Sequence, residues 1–272
     1  MVHTNAIEKE ITSGPGTSYR DCFKGTDLRR TEIVCCVWMI QIFCGQPFGG
    51  VGAYFFEAAG FPPERAFSLQ LGVTGIAFVG AVTSWFLMRL VGRRTLYIYG
   101  LATMFALLLA IGILGIPRAA PGLSWATGSL MFLFVFVFDI TVGPVCYSLV
   151  AEIPATRLRN KSVILARCSY NVAGIIGNII NPRMLNPSAW NLRGKAGFVW
   201  AFTCFVSLAW SFFRLPEPKG LTYCELDILF ENKASARKFR RFRVILEQAG
   251  YFCVATPSVA ASGSNTLGGR KI

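Results

Sequence analysis

The chain has 272 residues, of which 53% are apolar, and carries 27 Lys and Arg against 14 Asp and Glu, a net charge of +13 at pH 7. The apolar residues gather into six runs long enough to cross a bilayer, which argues against a soluble globular domain. No DNA-binding motif accompanies the positive charge, and one histidine (His3) with nine cysteines that form no C-x-x-C pair leaves neither a zinc site nor a redox motif, so no nucleic acid, metal or cofactor is expected.

In chain order, residues 1–32 are polar and read as a cytosolic loop segment; they lack the charged and apolar regions of a secretory signal. Spans are expected at 33–56, 66–88, 95–116, 127–151, 162–181 and 196–213, the shortest of 18 residues. At a rise of about 1.5 Å per residue, each matches a hydrocarbon core of roughly 30 Å. Helices are the form that fits, because an open strand edge leaves backbone groups unpaired in lipid. The bundle then covers 33–215, a cytosolic amphipathic segment follows at 216–245, and the Gly- and Ser-containing end, 246–272, reads as disordered.

The polar and small residues inside the spans carry the remaining periodicity. In the first, Gln41, Gly45, Phe48 and Gly52 fall on one helical face; in the fourth, Asp139, Gly143, Tyr147 and Val150 do, with Pro144 favouring a kink; in the fifth, Arg167, Asn171, Gly174, Asn178 and Asn181 do. Such stripes either line a wet cavity or pack helices through small residues. Arg167 is expected four residues inside its span, snorkelling to the interface with Glu152 as its partner. Twenty-one of the 27 basic residues lie in the odd-numbered flanks, counted from the N-terminus, which puts both termini in the cytosol and the basic flanks against anionic lipid.

Three motifs fall in series on that cytosolic side: Gly92-Arg93-Arg94 after the second span; Gly143-Pro144-Val145-Cys146-Tyr147, then Glu152, Arg157 and Arg159 around the end of the fourth; and Pro216-Glu217-Pro218-Lys219-Gly220 after the last. In order and spacing they resemble the signatures of the C-terminal half of sugar porters in the major facilitator superfamily. Asp21-Cys22-Phe23-Lys24-Gly25-Thr26-Asp27, Thr141-Val142-Gly143-Pro144 and Leu229-Phe230-Glu231-Asn232-Lys233 look most like fungal α-glucoside (maltose-type) permeases.

The resemblance implies an all-α membrane fold, a six-helix half-bundle built as a 3+3 inverted repeat, in a plasma-membrane carrier that couples an α-glucoside or hexose to a proton by alternating access. It also implies that the partner, an N-terminal six-helix half holding the coupling acid, lies outside this sequence, and that the chain is a C-terminal half. Gln41 matches the family's sugar-binding glutamine, whereas Tyr147 replaces the usual tryptophan and Pro47 an asparagine, which suits a substrate other than glucose. Candidate sugar-facing residues are Gln41, Gln46, Tyr147, Asn171 and Asp139; Arg93, Arg94, Glu152, Arg159 and Glu217 match the gating charge network, and Arg89 stands where an acid is usual. Asp139 falls mid-span, where an unpartnered charge costs at least roughly 2.5 kcal/mol. Either a sugar or transferable proton offsets that cost, or a protonated carboxyl bonds a neighbouring helix.

No nucleophile–base pair or phosphate loop supports an enzyme; the alternative is a carrier-derived sensor that does not transport. The orientation predicts that a thiol probe introduced at Ser188 of a cysteine-depleted chain reacts from outside intact cells and one at Ser235 does not. The opposite labelling pattern defeats it.

Overall fold

The computed structural model describes residues 18–58, 62–116, 121–186, 188–221 and 223–231. A 3-10 turn, Tyr19–Phe23, leads into α1 (Gly25–Phe43), α2 (Gln46–Gly49) and α3 (Gly52–Ala58). Then come α4 (Pro63–Leu90), α5 (Arg93–Leu114), α6 (Pro121–Ile140), α7 (Val142–Glu152), α8 (Arg159–Leu185), α9 (Ala196–Arg214) and α10 (Tyr223–Glu231). There is no strand among the described residues, and six helical segments are long and apolar enough to cross a membrane.

The helices overrun the apolar runs at several ends. Residues 25–32, expected as loop, are the first turns of α1, because their charges are paired: Arg30 with Asp227, Asp27 with Arg157 and Glu32 with Arg214. The fifth span starts at Arg159 and runs to Leu185, three residues beyond Pro182. Residues 1–17, the stretch 232–245 of the amphipathic segment and the tail 246–272 lie outside the described residues. In the leading turn, the Ser18 N–H and the Lys24 ammonium hold the Asp21 carboxyl below its ordinary range.

Two spans are interrupted rather than continuous. The first breaks at Gly45, whose φ of +98° lies in the left-handed region that side chains disfavour. The single face expected for Gln41, Gly45, Phe48 and Gly52 therefore does not continue past the break. The fourth span breaks at Thr141 (φ −115°, ψ −82°), where Pro144 has no N–H to offer the Ile140 carbonyl. At the first break neighbouring helices satisfy the carbonyls: Thr203 Oγ1 donates to Phe43 O at 2.7 Å and Asn181 Nδ2 to Pro47 O at 2.8 Å. At the second, the Thr141 hydroxyl turns back along its own span and donates to Val137 O. This is how a membrane tolerates a broken helix.

α1 sits at the centre, packed on α7, α8 and α9, with Ile33, Val34 and Val37 fully buried. α5 packs on α6, α7 and α9, and its Tyr97 hydroxyl donates to Val37 O at 3.0 Å. α4 rests chiefly on α6. The spans built on α4 and α8 are the least covered by the rest of the bundle.

A methyl at Gly45 would lie 3.2 Å from Leu108 Cδ1 and 3.4 Å from Trp200 Cβ, in addition to the left-handed backbone. Gly45→Ala is therefore expected to cost about 1–2 kcal/mol, read as a lower unfolding temperature of the purified chain in detergent. An unchanged temperature would mean that the break is not built into the fold.

Candidate functional site

The exposed face of α8 carries Arg167, Asn171 and Asn178, three polar side chains at helical spacing on one of the two least-covered spans. Beside it, Tyr147 on α7 is 56% exposed and meets the edge of Trp38 on α1, ring centres 6.0 Å apart. The Arg167 guanidinium lies 5.4 Å from the Trp38 ring and 4.8 Å from Tyr170, a pair of cation–π contacts. The buried Trp38 Nε1–H has no acceptor among the described residues. The Tyr147 and Tyr170 rings, a guanidinium and two amides thus form one amphipathic surface over the buried Trp38, the kind of chemistry that takes hydroxyls and C–H faces together.

Arg167 does not reach Glu152. It lies eight residues into α8, roughly 12 Å of helix rise, deeper than the sequence suggests, and Glu152 is taken by Arg93.

Gln41 lies under this surface rather than on it. Only 5% exposed, it donates Nε2 to the Gly143 carbonyl at 3.1 Å, tying α1 to α7 just past the Thr141 break. Gln46 is exposed at the start of α2. Asp139 stands apart: its Cβ is 3.2 Å from where a Cβ on Gly80 of α4 would be, it is half-buried, and it has no hydrogen-bond or ion-pair partner among the described residues. The structure therefore brings Tyr147 and Asn171 to the amphipathic surface, puts Gln41 behind it, and leaves Asp139 between α6 and α4. Tyr170 in the surface and Trp38 beneath it are what sequence reasoning misses, because an aromatic ring in an apolar run has no signal of its own.

At the basic end of the bundle the expected charge network splits into separate links. Arg93 Nη2 pairs with Glu152 Oε1 at 3.0 Å. Arg94 uses its backbone: its N–H donates to Glu217 Oε2 at 3.1 Å, while its side chain donates to Phe212 O at 2.9 Å. Glu217 thereby places a carboxylate at the positive N-terminus of α5, and Lys219 Nζ donates to the Arg89 and Leu90 carbonyls at the negative end of α4. One short segment caps both helix ends of the α4–α5 turn. Among the described residues Arg159 joins no carboxylate; it lies 4.5 Å over the Tyr223 ring. A cavity of about 400 Å³ separates Arg93 and Glu152 from Tyr223 and Leu226 of α10. Among the described residues, no group of three or more His, Cys, Asp or Glu could hold a metal.

The family model described as sugar (and other) transporter matches residues 3–230. The alpha-glucosides permease MPH3 of Saccharomyces cerevisiae is 37% identical over 262 residues, covering 96% of this chain and 42% of its own length. The general alpha-glucoside permease of the same yeast is 38% identical over 86% of this chain and 38% of its own length, and its maltose permease MAL31 is 36% identical over 88% and 39%. The chain thus spans about two fifths of the curated relatives it matches, which are permeases and not enzymes. A solved structure of the proton:xylose symporter XylE bound to 6-bromo-6-deoxy-D-glucose superposes with a TM-score of 0.65 at 22% identity, over 74% of this chain and 42% of that one, a likeness of fold.

A methyl at Gly92 would stand 2.1 Å from Glu217 Oε2, so Gly92→Ala expels the carboxylate from the α5 terminus. Gly92→Ala and Glu217→Ala are each expected to cost about 1 kcal/mol, and the double variant no more than the larger single, in thermal unfolding. Additive losses would show that the two residues act separately.

Proposed function

Since the chain belongs to the sugar (and other) transporter family and is a multi-pass membrane protein of the major facilitator fold, we propose that it acts as the C-terminal six-helix half of a proton-coupled α-glucoside carrier. The amphipathic face of α8 carries this reading. Arg167, Asn171 and Asn178 turned toward lipid are costly, whereas against a second six-helix half they line a water-filled cavity. The α-glucoside and maltose permeases among the relatives favour a disaccharide of that class.

In this carrier Tyr147 and Asn171 contact the sugar, with Tyr147 braced by Trp38, and Gln46 reaches it from the break in the first span. Gln41 sets the α1–α7 geometry and reaches sugar only when it leaves the Gly143 carbonyl. Asp139, mid-span and without a partner among the described residues, carries a proton or bonds a sugar hydroxyl. Arg93, Arg94, Glu152, Arg159 and Glu217 form the gate: Arg93–Glu152 and the capped α4–α5 turn hold helix ends together and separate when the halves tilt. With Arg89 where an acid is usual in the family, that lock is weaker or wired differently. Both termini face the cytosol, and the carrier works in the plasma membrane.

The test is maltose uptake by yeast lacking its own α-glucoside carriers. The chain alone should give no proton-coupled flux; joined to the N-terminal half of a maltose permease it should. In the joined carrier, Tyr147→Ala and Asn171→Ala are each expected to raise KM about threefold to tenfold, and Asp139→Asn to lower uptake or shift its pH dependence at normal surface expression. A surface-expressed joined protein with no uptake assigns the chain to a sensor, and wild-type pH dependence in Asp139→Asn removes that carboxyl from coupling.

A further inference from the structure

The first span stops at the left-handed Gly45 and resumes in α2, which is only four residues long. So short a helix cannot hold its own place, and neighbours seat it on two sides. Gly49 lies against α6, where an added Cβ would come 2.7 Å from Phe134 Cδ1. On the other side Asn181 of α8 donates Nδ2 to Pro47 O at 2.8 Å. Gly177, one turn before Asn181, leaves room for the proline ring: a Cβ there would stand 3.3 Å from Pro47 Cγ and 3.0 Å from Ile42 Cγ2.

Asn181 is 4% exposed, and its Oδ1 is buried without a hydrogen-bond partner among the described residues. One end of the amide gains a bond while the other loses its water, so the two effects largely cancel in stability. The lasting effect of the bond is on position. Gln46 stands between the left-handed Gly45 and Pro47, whose ring fixes φ, so the direction of its exposed side chain follows from where Pro47 is held. Asn171 and Asn178, exposed on the same α8, lie ten and three residues before Asn181.

We propose that Asn181 is a positioning residue for sugar binding: by holding the Pro47 carbonyl it sets the separation between Gln46 and the Asn171–Asn178 face of α8. Amides on two elements then meet one sugar at a fixed spacing, and binding need not order α2 first. The assignment rests on the proposed function, in which Gln46 and that face of α8 serve the same sugar.

Two measurements test it. In the full chain, depleted of its own cysteines and carrying Gln46→Cys, Asn181→Leu should change the rate of labelling by a water-soluble maleimide several-fold, because the donor that seats Pro47 is gone while the buried shape is kept. In the carrier joined to the N-terminal half of a maltose permease, Asn181→Leu should raise KM for maltose about threefold to tenfold and leave maximal uptake per surface carrier within about twofold. On a Gln46→Ala background the same change should add less than about twofold, since no glutamine is left to place. Gly177→Ala displaces Pro47 by crowding rather than by loss of the bond and should act alike; it carries the test if Asn181→Leu does not reach the surface. A lower unfolding temperature with KM unchanged makes Asn181 purely structural and overturns the inference, as does a KM increase that persists in full on the Gln46→Ala background. Labelling needs no transport, so a failed seat and a failed carrier are told apart. An unchanged rate overturns the inference, whereas a changed rate in a surface-expressed joined protein without uptake overturns the proposed function and withdraws the role in sugar binding.

Discussion

Hydrocarbon offers backbone groups no water, and the two interrupted spans are organised around that constraint. The break in the first span frees carbonyls, and polar side chains on adjacent helices meet them, Thr203 at Phe43 and Asn181 at Pro47, while Gln41 at Gly143 and Tyr97 at Val37 bond further carbonyls across helices. These bonds sew α1, α2, α5, α7, α8 and α9 into one unit. They also decide which polar residues remain for a ligand. Asn181 and Gln41 are used in the fold, whereas Asn171 and Asn178 on the same helix as Asn181 are exposed.

The basic end has a different character. There, charge pairs and helix-end caps do the joining: the Pro216–Gly220 segment closes the α4–α5 turn, and α10 is held to α1 by a buried arginine. One end of α1 is therefore fixed by three ion pairs, while its other end stops at a left-handed glycine. In the proposed carrier this places rigidity at the gate and freedom toward the opposite side, where α2 and α3 continue separately.

The number, order and helical nature of the spans are legible in the sequence because hydropathy over about 20 residues is a direct reading of the membrane. The break in the fourth span is legible from Pro144, and the one in the first is not. Gly45-Gln46-Pro47 has a turn's composition, but apolar residues continue through it to Phe56 and mask the stop. Helix starts are misread where charges such as Arg30 and Glu32 find tertiary partners, since those partners lie some 180 or more residues away. The exposure of Tyr147 and Asn171 agrees with the polar stripes read from the sequence. The contacts of Gln41, whose type suits sugar and backbone equally, were not legible, nor were those of Glu217, whose charge meets a helix terminus rather than the arginine side chains beside it in the motif.

In the proposed carrier the Arg167–Asn171–Asn178 face of α8 borders a wet sugar cavity and not lipid. Its most direct test is the reactivity of single cysteines at positions 171 and 178 toward a water-soluble maleimide, with and without maltose, in the chain assembled with an N-terminal carrier half. The account predicts fast labelling at both positions and protection by maltose at 171. Slow labelling at both, with strong quenching of attached probes by brominated lipid, would contradict it.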